Sequence, residues 1–166
     1  QLANITSDAA TVTTATAAVA SSINAGSSYT LTSGVDTLSG TSGNDSFIAD
    51  QTTGTWTLGD TINGGNGTDT LKLIKTAAIV TADVAPTGAV LTSVENLTLV
   101  SGAGLTAVLT TGTGLASVTN VTTTSVGASA LTSSATQDVN ATVTTHAAAA
   151  VTIDGGKNVA LTNSGS

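Results

Sequence analysis

Residues 31–72 carry the repeat that most limits what this chain can fold into. Four nonapeptides align on an aspartate at their sixth position: LTSGVDTLS (31–39), GTSGNDSFI (40–48), TWTLGDTIN (55–63) and GGNGTDTLK (64–72). They form two contiguous pairs, with the six residues ADQTTG (49–54) inserted between the pairs. The last fits the pattern G-G-x-G-x-D-x-U-x, with U apolar, at every specified position. The second departs only at Thr41, which replaces a Gly. The first keeps Gly34, Asp36 and Leu38, and the third keeps Asp60 and Ile62. In this frame G-G-x-G-x-D makes a tight turn and x-U-x a short strand whose apolar residue points inward, so two nonapeptides complete one turn of a β-roll. Stacking the turns predicts that Asp36 faces Asp60 and Asp45 faces Asp69, each pair 24 residues apart. The inserted segment is predicted to loop out without breaking the register.

Carboxylates stacked at strand spacing repel one another. A hard cation that takes about six to eight oxygen ligands turns that repulsion into a clamp, and the glycines permit backbone conformations that bring carbonyl oxygens to a point. The candidate cofactor is therefore Ca2+. The candidate ligands are Asp36, Asp45, Asp60 and Asp69, with the turn residues Gly40, Ser42, Gly64 and Asn66. Because Asp36 and Asp60 belong to the two poorest nonapeptides, their clamp is expected to be the weaker. The competing reading is an ordinary run of β-turns in which Asp caps the turn through local backbone contacts.

Composition agrees with a thin, layered β structure. Thr supplies 36 of the 166 residues, aromatics are 2% and charged residues 8%, against about 25% charged in an ordinary domain. Mean hydropathy is nonetheless +0.33, and Thr and Val favour pleated, half-buried surfaces. Three lysines, no Arg and a net charge of −7 argue against nucleic acid and anionic lipid as partners. The chain has no Cys, so a secreted domain of this kind needs another staple, and metal is the usual one. No apolar run approaches the roughly 18 residues of a membrane span. A chain that begins Gln1-Leu2 and stops in mid-pattern is read as a piece of a longer protein.

Residues 7–24 are predicted to form a short N-terminal helix, capped by Ser7 or Asp8 and stopped by Ala25-Gly26. Beyond Tyr29 the period becomes two. Strands are predicted at 29–32, 70–75, 78–84, 95–101, 105–111, 117–126, 139–146, 149–154 and 158–163, separated by Gly, Ser and Asn clusters. Leu97, Val121, Val139 and Val159 each follow or adjoin an Asn or Asp, at intervals of 24, 18 and 20 residues. A period near 20 suits one turn of a parallel β-solenoid. The expected fold is mainly β: a calcium-binding parallel β-roll continuing into a β-solenoid or stacked β-sheet arm. The expected segments are 1–28 (helix or linker), 29–73 (β-roll) and 74–166 (Thr/Ala/Val-rich arm).

The runs GVDTLSGTSGNDSF, GDTINGGNGTDTL and SVENLTL make the chain similar to the RTX (hemolysin-type calcium-binding) proteins. More narrowly, it resembles bacterial surface-layer proteins and large adhesins exported by type I secretion. The close motif match covers residues 29–73. The resemblance implies an extracellular, cell-surface location, calcium-dependent folding and, for the surface-layer branch, calcium-dependent assembly into a lattice.

Other constellations are read conservatively. Tyr29, Phe47 and Trp56 could line a sugar site, but Phe47 is expected to point inward and Trp56 to cover the roll near the insertion. His146, the only histidine, is expected at a surface strand end. Glu95-Asn96 is expected to cap or to make a lattice contact. Asp154-Gly155-Gly156 is read as a plain tight turn ahead of a further calcium turn, and Asp50 is left open as a ligand. Thr ladders of an ice-binding kind are disfavoured, because the Thr are spread over both faces. No Ser-His-Asp, paired-carboxylate or phosphate-loop pattern stands out, so an enzyme is not expected. The expected function is a structural, calcium-binding segment of a secreted surface-layer protein. Its expected partners are copies of itself, with cell-surface polysaccharide as a further candidate. The alternative is a calcium-stabilised adhesin or binding module.

Overall fold

The computed structural model of the protein describes residues 12–13, 19, 25–110, 114–144 and 150–164. The chain is mainly β, and its parallel strands wind into a β-solenoid. One wall is a seven-stranded sheet, in the order β1 (Ser28–Thr30), β3 (Ser46–Asp50), β5 (Thr70–Lys75), β8 (Asn96–Ser101), β10 (Asn120–Ser125), β12 (Asp138–Val143) and β14 (Asn158–Asn163). A three-stranded sheet stacks β2 (Thr37–Ser39), β4 (Thr61–Asn63) and β7 (Val90–Thr92). A four-stranded sheet stacks β6 (Ile79–Val80), β9 (Leu105–Val108), β11 (Ser129–Thr132) and β13 (Val151–Asp154). The seven-stranded sheet runs on across residue 74, because β5 pairs with β8.

Register follows from which residues must be inside. Tyr29, Phe47, Leu71, Leu97, Val121, Val139 and Val159 form one column across the seven strands. The Leu97–Val121–Val139–Val159 alignment predicted from the loose repeat is therefore the pairing adopted. A slip of one residue would turn this whole apolar set to solvent. Tyr29 stacks on Phe47 with ring centroids 5.0 Å apart, and Phe47 is fully buried, as its inward position required. The column narrows from aromatic to Leu to Val along the chain. At its far end Val159 is 48% exposed, whereas Val139 beside it is 2% exposed.

The inserted segment keeps the register but does not simply loop out. Ala49 and Asp50 extend β3 and pair with Leu73 and Ile74, and Thr52 and Thr53 stand exposed at the tip. Buried Gln51 receives the Trp56 N–H on Oε1 at 3.0 Å. Its Nε2 donates to the carbonyls of Trp56 (3.0 Å) and Asp83 (2.7 Å). Trp56 Nε1 donates to Val84 O at 3.1 Å, so the indole covers the roll with its polar edge satisfied.

The stretch 78–84, predicted as one strand, is strand only at Ile79–Val80 and then turns into the short helix α1 (Thr81–Val84). The cause is Asp83, whose carboxylate accepts the Val80 N–H at 2.8 Å and pairs with Lys75 Nζ at 2.7 Å. Strands β7 and β11 were not predicted. Of the helix expected over 7–24, Val12, Thr13 and Val19 are helical, and the rest lies outside the described residues. His146 and residues 145–149 of the predicted strands lie outside them too.

If the column is the core, Leu97→Ala should destabilise the protein by about 2–5 kcal/mol. Val159→Ala at the open end should lower stability by no more than about 0.5 kcal/mol. Urea unfolding of the two variants gives the comparison, and equal losses would contradict the register.

Candidate metal centre

The residue just before each strand of the seven-stranded sheet begins a second column, and its composition changes along the chain: Ser27, Asp45, Asp69, Glu95, Thr119, Gln137, Lys157. From Asp45 to Glu95 the side chains are carboxylates, and each accepts the backbone N–H of its counterpart one turn earlier. Ser27 N donates to Asp45 Oδ1 at 2.6 Å, Asp45 N to Asp69 Oδ1 at 2.7 Å, and Asp69 N to Glu95 Oε2 at 2.9 Å. The start of the three-stranded sheet repeats the contact once, Asp36 N donating to Asp60 Oδ1 at 2.8 Å. The two aspartate pairs thus meet in the 24-residue register predicted, with Thr37 opposite Thr61 and Ser46 opposite Thr70.

The other carboxylate oxygen separates one aspartate from the rest. Asp36 Oδ2 accepts Thr32 N at 2.8 Å and Asp45 Oδ2 accepts Thr41 N at 2.7 Å, and each Thr hydroxyl also reaches its carboxylate. Asp60 Oδ2 accepts Thr57 N at 2.5 Å. In each case a Thr three or four residues upstream closes a local turn on the acid. The corresponding residue for Asp69 is Gly65. Its φ is 99°, and its N–H points to Asn63 Oδ1 at 3.2 Å. Asp69 is fully buried, and its Oδ2 has no hydrogen-bond partner among the described residues.

Gly40 and Gly64 are glycines for a steric reason. A Cβ on Gly40 would stand 2.0 Å from Gly64 O and 2.6 Å from Asp45 Oδ2. A Cβ on Gly64 would stand 1.9 Å from Ser93 O and 2.4 Å from Asp69 Oδ2. Each glycine thus leaves room for a carboxylate oxygen of its own turn and a carbonyl of the next. Ser42 and Asn66 lie exposed at the turn tips. Asp50 Oδ1 caps the Thr52 N–H at 2.8 Å. Asp154 precedes Gly155 and Gly156, whose φ values of 85° and 93° make a tight turn.

Burial pushes the Asp69 carboxyl above its ordinary pKa. The Asp45 N–H opposes that shift, and the neighbouring Asp45 and Glu95 charges add to it. An anionic oxygen buried without a donor calls for a proton or a hard cation, and the oxygen-lined notch at Gly64 fits the cation. Among the described residues no three acidic or histidine side chains gather closely enough to hold a metal between them. A cation here would complete its shell with main-chain oxygens, as calcium does. The Asp36–Asp60 pair fits less well, because all four of its carboxylate oxygens already accept hydrogen bonds. Sequence reasoning missed Glu95 as the third acid of the column. The sequence matches no protein-family model, and no curated protein shows significant similarity to it.

The raised pKa gives a signed prediction for the chelated protein. The folded state holds the Asp69 proton more tightly than the unfolded chain, whose value is about 3.9. This group's penalty is therefore absent below the unfolded value, and stability falls as pH rises through the folded value. Asp69→Asn should remove that loss. In chelator the variant should melt above wild type near pH 7 and converge with it toward about pH 4. Thermal melts across that range test this, and parallel curves would contradict it.

Proposed function

We propose that the chain is a structural, calcium-binding segment of a secreted bacterial surface-layer protein of the RTX kind, folding and self-assembling at the cell surface in response to calcium. The observation that carries this reading is the buried, donorless Asp69 Oδ2, set in a column of carboxylates beside glycine turns. Nonapeptides in register supply the column, and the absence of Cys leaves metal as the available staple. The outer faces carry mostly Thr, Ser and Asn, which suits a scaffold. The reading assigns the chain no catalysis.

The far end of the solenoid offers a surface on which a further turn could stack. On β14 the residues of the two inward columns, Val159 and Leu161, are 48% and 51% exposed. Among the described residues β14 is also the edge strand of the seven-stranded sheet. A further turn stacking there, whether of a longer chain or of a second copy, would bury both, and low charge density leaves little to oppose it. Calcium would favour association by fixing the roll and by offsetting part of the −7 charge.

Two measurements test the reading. Calcium at a hundredfold excess over Kd should stabilise the protein by about 2.7 kcal/mol relative to chelator, and Asp69→Ala should weaken binding more than Asp60→Ala. An unchanged melting curve would sink the calcium reading. Light scattering and negative-stain microscopy should show monomers in chelator and ordered sheets or filaments in about millimolar calcium. Magnesium should not substitute, because it holds its waters and requires near-octahedral geometry. A folded, calcium-bound protein that stays monomeric at high concentration would favour the adhesin alternative.

A further inference from the structure

We infer that the tightest cation position in this protein lies one turn beyond the paired nonapeptide aspartates, between Asp69 and the turn Ser93-Val94-Glu95. This rests on the calcium reading above and completes its main site with residues outside the repeats.

The direction in which Asp69 faces is the reason. Its Oδ1 is turned back toward the preceding turn, where it accepts the Asp45 N–H at 2.7 Å. Its Oδ2, the oxygen without a donor, lies against Gly64 on the side where the following turn packs. Ser93 O approaches the same point: a Gly64 Cβ would stand 2.4 Å from Asp69 Oδ2 and 1.9 Å from Ser93 O. The two oxygens can be no further apart than those two distances laid end to end. Calcium, with oxygen ligands at about 2.3–2.6 Å, bridges such a span.

The third donor is Glu95. It stands in register with Asp69, since Thr70 pairs with Asn96. It commits one oxygen, Oε2, to the Asp69 N–H at 2.9 Å, leaving Oε1 outside that bond. Ser93 is the one non-glycine among the described residues with a positive φ, 50°, a conformation that sets how its carbonyl meets Gly64. The preceding step of the column has the same layout, with Asp45 Oδ2 and Gly64 O against Gly40. There, however, Thr41 already donates its N–H and hydroxyl to Asp45. The carboxylate with an unmet demand faces forward, toward Glu95.

The test is Glu95→Gln, compared with Asp45→Asn, by calorimetric titration of the full chain with calcium chloride. Gln keeps an acceptor for the Asp69 N–H, and the fold already holds an amide at this place in the column. Buried Gln137 receives Ser134 N on Oε1 at 2.9 Å and donates from Nε2 to Val118 O at 3.3 Å. Circular dichroism in chelator confirms that both variants hold as much structure as the wild type does there. The expected result is that Glu95→Gln weakens the tightest calcium event by about tenfold or more, while Asp45→Asn leaves it within about threefold. The reverse order would overturn this site and leave the calcium reading standing on the Asp45–Asp69 step. No calcium binding by the wild type would overturn both. If Glu95→Gln is unfolded in chelator, Glu95→Asp takes its place: the shorter arm withdraws the carboxylate, and unchanged affinity in that variant would likewise overturn the site.

Discussion

The beginning of this solenoid depends on one contact: a backbone N–H donated to the carboxylate of the equivalent residue one turn further along. The residue before each strand lies outside the strand ladder, and its N–H still needs an acceptor once buried. Aspartate supplies one through a short, charge-assisted bond that also fixes the height of the next turn. The same contact stacks anions at strand spacing, so every such residue adds repulsion and desolvation. Thr32, Thr41 and Thr57 meet that demand locally for three aspartates. At Asp69 a Gly-Gly turn withdraws the donor, and one acid is left to find a proton or a cation.

Further along the chain the column carries no acid, and the N–H groups of Thr119 and Lys157 go to the main-chain oxygens of Glu95 and Gln137. Thr119 and Gln137 follow Glu95, and Gln137 offers both an acceptor and a donor across the turn. The fold thus passes from an anionic stack that calls for a counter-ion to a neutral amide that needs none. The inward column beside it narrows over the same distance, from Phe47 through Leu71 and Leu97 to Val121 and Val139. Shape and charge therefore grade together along the solenoid.

Much of this was legible in the sequence, because a period-two pattern anchored on aspartate admits only one register. The 24-residue facing of Asp45 and Asp69 and the Leu97–Val121–Val139–Val159 column are both consequences of it. What escaped has physical reasons. Glu95 completes the acid column, but it lies 26 residues after Asp69 and is a longer acid, so a fixed aspartate frame passes over it. The departures from the ideal nonapeptide, Thr32 and Thr41, sit in the repeated T-S-G-x-D and are themselves the donors that satisfy their aspartates. Strand β11 is built from Ser129 and Ala130 as much as from Leu131, and such small residues read as turn until neighbouring strands pair with them. Asp83 gave no local sign that it would cap a helix, since its partner Lys75 lies on β5.

The most direct measurement of the central claim is an anomalous difference map from crystals grown in calcium, collected where calcium scatters anomalously. A peak within bonding distance of Asp69 Oδ2 and Ser93 O is expected, with Glu95 turned toward it. A map with no peak in the carboxylate column, and a water or a neighbouring donor hydrogen-bonded to Asp69 Oδ2 in its place, would contradict it.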